Sequence, residues 1–125
     1  MPDSSAAGTS APRLVILLNN VSTDAPDALS IPLRYAATAA AMDVAVEMHA
    51  VSRSVALLRR DAVSPALLAQ LQQAVELGVQ IFACPVALAE QGMRAEDLSD
   101  AVAGVRGAAS LLVSGLGPDA RFMVF

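Results

Sequence analysis

The run Arg13-Leu14-Val15-Ile16-Leu17-Leu18-Asn19 limits the possible architectures more than any other segment. It is too short for a helix and shows no alternation, which is the pattern of a strand buried on both faces. A central strand of that kind needs a layer above and a layer below, and the following segments supply them. Thr23, Asp24 and Pro26 carry helix-start chemistry ahead of an alanine-rich stretch to Met42, inside which Pro32 must kink or restart the helix. Residues 44–50 form a second strand, with Glu47 and His49 on one face by the two-residue period. That face is expected to be the less buried one.

A short helix is expected over residues 54–60, and Ser64-Pro65 opens the best-signalled helix of the chain as N-cap and first helical residue. Leu67, Leu68, Leu71 and Val75 form its apolar stripe, and Gly78 ends it. Residues 79–83 are a third strand. Cys84-Pro85 starts a short helical stretch to Gln91 that stops at Gly92; a helix over 108–113 and a last strand over 121–125 complete the chain. The alternation predicts an α/β fold: an open, mainly parallel sheet of four to five strands with helices on both faces, flavodoxin-like, in strand order 2-1-3-4. The winding then reverses between the first and third strands, and ligands gather beyond the carboxyl ends of strands at such a switch point. Asn19, Asn20, Cys84 and Pro85 are expected there. The first twelve residues, small and polar, are expected to be a disordered tail ahead of one domain over residues 13–125.

Composition narrows the chemistry. All eight basic residues are arginine against twelve carboxylates, for a net charge of −4. Nucleic acid, a partner that demands a clustered basic surface, is therefore not expected. Without lysine there is no Schiff-base nucleophile and no P-loop. One histidine and one cysteine are too few ligands for a transition-metal site within the chain, so neither metal nor cofactor is expected. Charges and prolines interrupt every apolar stretch before the ~20 residues of a membrane span, and the opening residues lack the pattern of a signal peptide. A cytoplasmic protein without a membrane partner is expected.

Cys84 is the one residue whose setting points to covalent chemistry. It follows a strand and precedes a proline suited to a first helical turn, so its thiol sits at a helix N-cap, where unsatisfied N–H groups favour an anionic sulfur. The same field would hold the terminal sulfur of a persulfide. Asn19 or Asn20, one strand over at roughly 4.8 Å spacing, would add a hydrogen bond. The bland alternative is a small hydrophobe at a strand end. His49 is the only candidate base, but in the expected order its strand is two positions from that of Cys84, roughly 9–10 Å away, too far for a direct bond. It is expected to meet solvent or a neighbouring subunit. Glu47, the Arg59-Arg60-Asp61 cluster and the Gly104-Val105-Arg106-Gly107 turn, with Arg106 pointing outward, are assigned no chemistry.

Residues 39–49 (Ala-Ala-Ala-Met-Asp-Val-Ala-Val-Glu-Met-His), 77–84 (Leu-Gly-Val-Gln-Ile-Phe-Ala-Cys) with Ala87, Leu88 and Gly92, Val102-Ala-Gly-Val with Gly107-Ala-Ala, and the terminal apolar strand resemble, in that order, the DsrE/DsrF-like sulfur-relay family. The Gly-Val-x-x-x-x-Cys element is the most specific of these. The resemblance implies a small α/β subunit that assembles into homotrimers or homohexamers and carries sulfur as a persulfide on the cysteine matching Cys84. It also implies a rhodanese or TusA-like protein donor and a downstream protein acceptor. The stretch Ser52-Arg53-Ser54-Val55 lacks the glycine that relatives often have, so this loop is expected to be shaped differently. Two function classes follow: a sulfurtransferase-like carrier rather than a turnover enzyme, and an oligomeric scaffold in which Cys84 only lines a pocket. A redox sensor is a third option, and it would need a resolving thiol from elsewhere.

Overall fold

The computed structural model describes residues 12–125; the tail expected over residues 1–12 lies, except for Pro12, outside the described residues. The apolar run forms β1 (Arg13–Leu18). A short 3-10 turn over Pro26–Leu29 leads into α1 (Ser30–Ala41), with Pro32 in its first turn. There the missing N–H has no intrahelical partner to lose, so the proline restarts the helix and does not kink it. β2 (Ala45–Ala50) is followed by a 3-10 segment, Ser52–Leu58, where a short helix was expected. Ser52 enters it at φ 53, a left-handed turn made without glycine. α2 (Pro65–Glu76) begins where Ser64 and Pro65 predict, with Ser64 Oγ accepting from the Leu67 N–H at 3.2 Å. Its buried stripe is Leu67, Leu71 and Ala74, while Val75 stays exposed.

Gly78 and Gly92 take positive φ and end their helices as the sequence predicts. Between them lie β3 (Gln80–Ala83) and α3 (Pro85–Glu90). Then come β4 (Gly104–Val105), α4 (Ala108–Gly115) and β5 (Ala120–Val124). The α/β class, the parallel sheet of five strands and helices on both faces are as expected.

The expected strand order is corrected. The sheet runs β4-β3-β2-β1-β5, so β1 lies between β2 and β5, and β2 separates it from β3. Local patterns specify strands but not which edge a returning chain takes. Successive crossovers from β1 to β4 step in one direction, and the last one returns past β1 to the far edge. Right-handed crossovers therefore put α1, α2 and α3 on one face and α4 alone on the other. Ile16, Leu18, Val46, Met48, Ala50, Ile81 and Ala83 meet the three-helix layer and form the main core with Leu33, Leu58 and Leu71.

This order also relocates the switch point. The loops leaving β3 and β4 depart to opposite faces, so the crevice of the sheet opens between these two strands.

Candidate functional site

Side chains on the α4 face follow from the register. Glu47 pairs with Gln80 and His49 with Phe82, so Glu47, His49 and Val51 share a face with Phe82 and Cys84. Gly104 opposite Phe82 puts Arg106 on that face too. The Cys84 N–H donates to the Ala50 carbonyl at 3.0 Å and continues the ladder one step past β3, and its carbonyl accepts from the Leu88 N–H at 3.0 Å as α3 begins. Cys84 is thus both strand end and N-cap of α3, half-buried, with Pro85 next to it and against Gly107.

The thiol borders a small cavity of about 50 Å³ lined by His49, Val51, Cys84, Arg106, Gly107, Ala108 and Leu111. The strand ends of β2, β3 and β4 and the first turns of α4 build it. Arg106 does not point freely outward: its guanidinium lies 4.2 Å from the centre of the Phe82 ring. The His49 ring packs at a tilt on the same phenylalanine, 5.2 Å between centroids. Gly104 and Val105, read as part of a turn, are a strand, too short for a periodic pattern to mark.

Two further expectations are corrected here. The Glu47 and His49 face is buried, at 7% and 2% exposure, because α4 lies over it. His49 is one strand from Cys84, since β2 and β3 are neighbours. Its Nε2 is 2.9 Å from Glu47 Oε1. Glu47 Oε2 accepts from Ser114 Oγ of α4 at 3.1 Å and from Arg13 Nη1 at 3.5 Å. Burial pushes the Glu47 carboxyl up, but the hydrogen bonds from His49 and Ser114 and the charges of His49 and Arg13 outweigh it, and the group lies below its ordinary 4.5.

That sign gives a testable pH dependence. A carboxyl with a lowered folded-state value contributes stability that is complete above about 4.5 and is lost as pH falls through the lowered value. The stability difference between wild type and Glu47→Gln, from urea unfolding, should therefore shrink as pH drops below 4.5. A difference that stays constant down to the acid limit of folding would contradict the assignment.

Asn19 and Asn20 end β1, two strands from Cys84, and their N–H groups donate to the Phe125 carbonyl at 2.7 and 3.0 Å. They do not line the cavity; residues at the ends of β2 and β4 do. Among the described residues no group of three His, Cys, Asp or Glu is placed to hold a metal ion. No described helix is long and apolar enough to cross a membrane.

The sequence model of the DsrE/DsrF-like family matches residues 13–117. No curated protein matches the chain significantly. Similar solved structures include the ychN protein from E. coli, 18% identical with a TM-score of 0.75, covering 91% of this chain and 99% of that one. The protein of unknown function MTH1491 from Methanobacterium thermoautotrophicum is 23% identical with a TM-score of 0.69, over 91% and 99% of the two chains. The conserved protein of unknown function BT1422 from Bacteroides thetaiotaomicron is 17% identical with a TM-score of 0.70, over 91% and 95%. These likenesses are of fold.

Proposed function

The chain belongs to the DsrE/DsrF-like family, and from that premise we propose that it is a sulfur carrier, holding sulfane sulfur as a persulfide on Cys84 and passing it between proteins. Membership supports a sulfur-relay-related role at the level of the family. The observation that carries the finer reading is the position of the thiol: at a strand end, half-buried, on the wall of a cavity of about 50 Å³ at the switch point. A space of that size suits one added sulfur atom and shelters it, while the exposed side of Cys84 leaves a path for a partner's sulfur. The donor is a rhodanese or TusA-like protein, the acceptor a second thiol protein, and the compartment the cytoplasm. Cyanide tests this reading, because it strips sulfane sulfur from a persulfide as thiocyanate. After a persulfide donor has been applied and removed, up to one thiocyanate per chain is expected; none would favour an oligomeric scaffold of the same fold.

A homotrimer or homohexamer belongs to the same reading. Leu112 and Val113 of α4, Leu116 just after it, and Phe122 and Val124 of β5 are exposed apolar side chains, with Val113 82% and Leu116 74% exposed. Gly115 lets α4 lie against the Phe122 ring, where a Cβ would overlap it. Exposed apolar side chains grouped on a helix and the strand it packs on are typical of a protein contact. Light scattering should give a trimer or hexamer at micromolar concentration, and Val113→Arg should shift the mass toward monomer. A wild-type monomer under those conditions would contradict the assembly.

A further inference from the structure

Sulfur transfer to a thiol requires a destination for the thiol proton, and the cavity wall offers one enclosed titratable side chain besides Cys84. His49 is 2% exposed and lines the same cavity. Its register partner Phe82 lies two residues before Cys84 on the adjacent strand. A strand spacing of ~4.8 Å and a rise of ~3.3 Å per residue put the two Cα atoms roughly 8 Å apart. Imidazole and thiol project from the same face of the sheet and border the same cavity.

The Glu47 contact settles the tautomer. An ionised carboxylate only accepts hydrogen bonds, so at 2.9 Å from Oε1 it is Nε2 that carries the hydrogen, and in the neutral ring Nδ1 then carries the lone pair; on protonation Nδ1 gains the second hydrogen and the ring the charge that Glu47 faces. Among the described residues Nδ1 has no hydrogen-bond partner. A nitrogen lone pair without a partner on an almost fully buried side chain is costly, and the ring borders the cavity it shares with Cys84.

We propose that His49, held by Glu47 in this tautomer, is the proton acceptor for Cys84 during sulfur transfer. The proposal rests on the carrier reading and adds the group that moves the proton. Cys84 Sγ bonds to the outer sulfur of a donor persulfide R–S–SH as its proton passes to His49 Nδ1. The donor S–S bond breaks, its electron pair leaves on the R–S sulfur, and His49 returns the proton to that thiolate. The products are Cys84–S–SH and R–SH. Atoms and electrons balance without an oxidant, since the sulfane sulfur only changes thiol. The charged and titratable groups around His49 are Glu47 on its own strand, Cys84 after β3 and Arg106 after β4. Arg13 of β1 acts through Glu47, and Ser114 of α4 holds the same carboxylate.

The test measures Cys84 alkylation by iodoacetamide against pH, alongside loading by glutathione persulfide, in wild type, His49→Gln and Glu47→Gln. At neutral pH His49→Gln should alkylate and load slower by roughly 10²-fold, the lower end for a positioned base. The two proteins should converge by about pH 10, where thiols ionise unaided. Glu47→Gln should slow in the same direction by a smaller factor. In denaturant all three should alkylate alike, which separates site chemistry from folding. Equal rates at neutral pH, or a slowing by one factor at every pH, would overturn the proposal. If wild type takes up no sulfur while the pH-dependent alkylation difference persists, the carrier reading falls and the His49–Cys84 pairing stands.

Discussion

Ile16→Ala should destabilise the protein by about 2–5 kcal/mol, among the largest stability losses expected of a single truncation here. Ile16 is fully buried on β1, with Met48 of β2 on one side and Met123 of β5 on the other. Its side chain faces the three-helix layer, where the main core is continuous. Removing three carbons there forfeits transfer free energy and leaves a cavity that an interior strand, held on both edges, cannot collapse around. Against a total stability of roughly 5–15 kcal/mol, the change should move the urea midpoint far down. Val113→Ala, on the exposed side of α4, should alter monomer stability by no more than about 0.5 kcal/mol. A loss under about 1 kcal/mol for Ile16→Ala would mean that β1 does not anchor this core.

Cys84→Ser should abolish sulfur uptake altogether. The sequence contains one cysteine, so a persulfide has no second place to form. Its five methionines are thioethers and have no ionisable sulfur from which to make one. Serine closely matches the size of cysteine and is favoured at an N-cap such as that of α3, so the variant should fold and keep its oligomeric state. Loss of uptake with unchanged melting behaviour isolates the thiol. Uptake that survives the substitution would place the sulfur outside the cavity.

The elements themselves were largely legible in the sequence. The unbroken apolar run of β1, the Ser64-Pro65 start and Gly78 stop of α2, and the Cys84-Pro85 junction each carry a local physical signal, and each lies where that signal puts it. Strand order was not legible, because local patterns do not decide at which edge the last crossover lands, and β4, two residues long, carries no pattern at all. That one difference changes the reading of His49, which moves from two strands away to the neighbouring one. The two-residue period correctly put Glu47 and His49 on one face, yet only the return of α4 over that face buries them. Arg106 was hidden for a related reason. The strand before it is two residues long, and the Phe82 ring under its guanidinium is supplied by another strand.

Intact mass spectrometry of the wild-type protein, after a pulse of polysulfide or persulfidated donor, tests the central claim most directly. A gain of whole sulfur atoms, reversed by a reductant and absent from Cys84→Ser treated in parallel, is the predicted result. An unmodified wild-type mass, under conditions that load an established persulfide carrier, would contradict it.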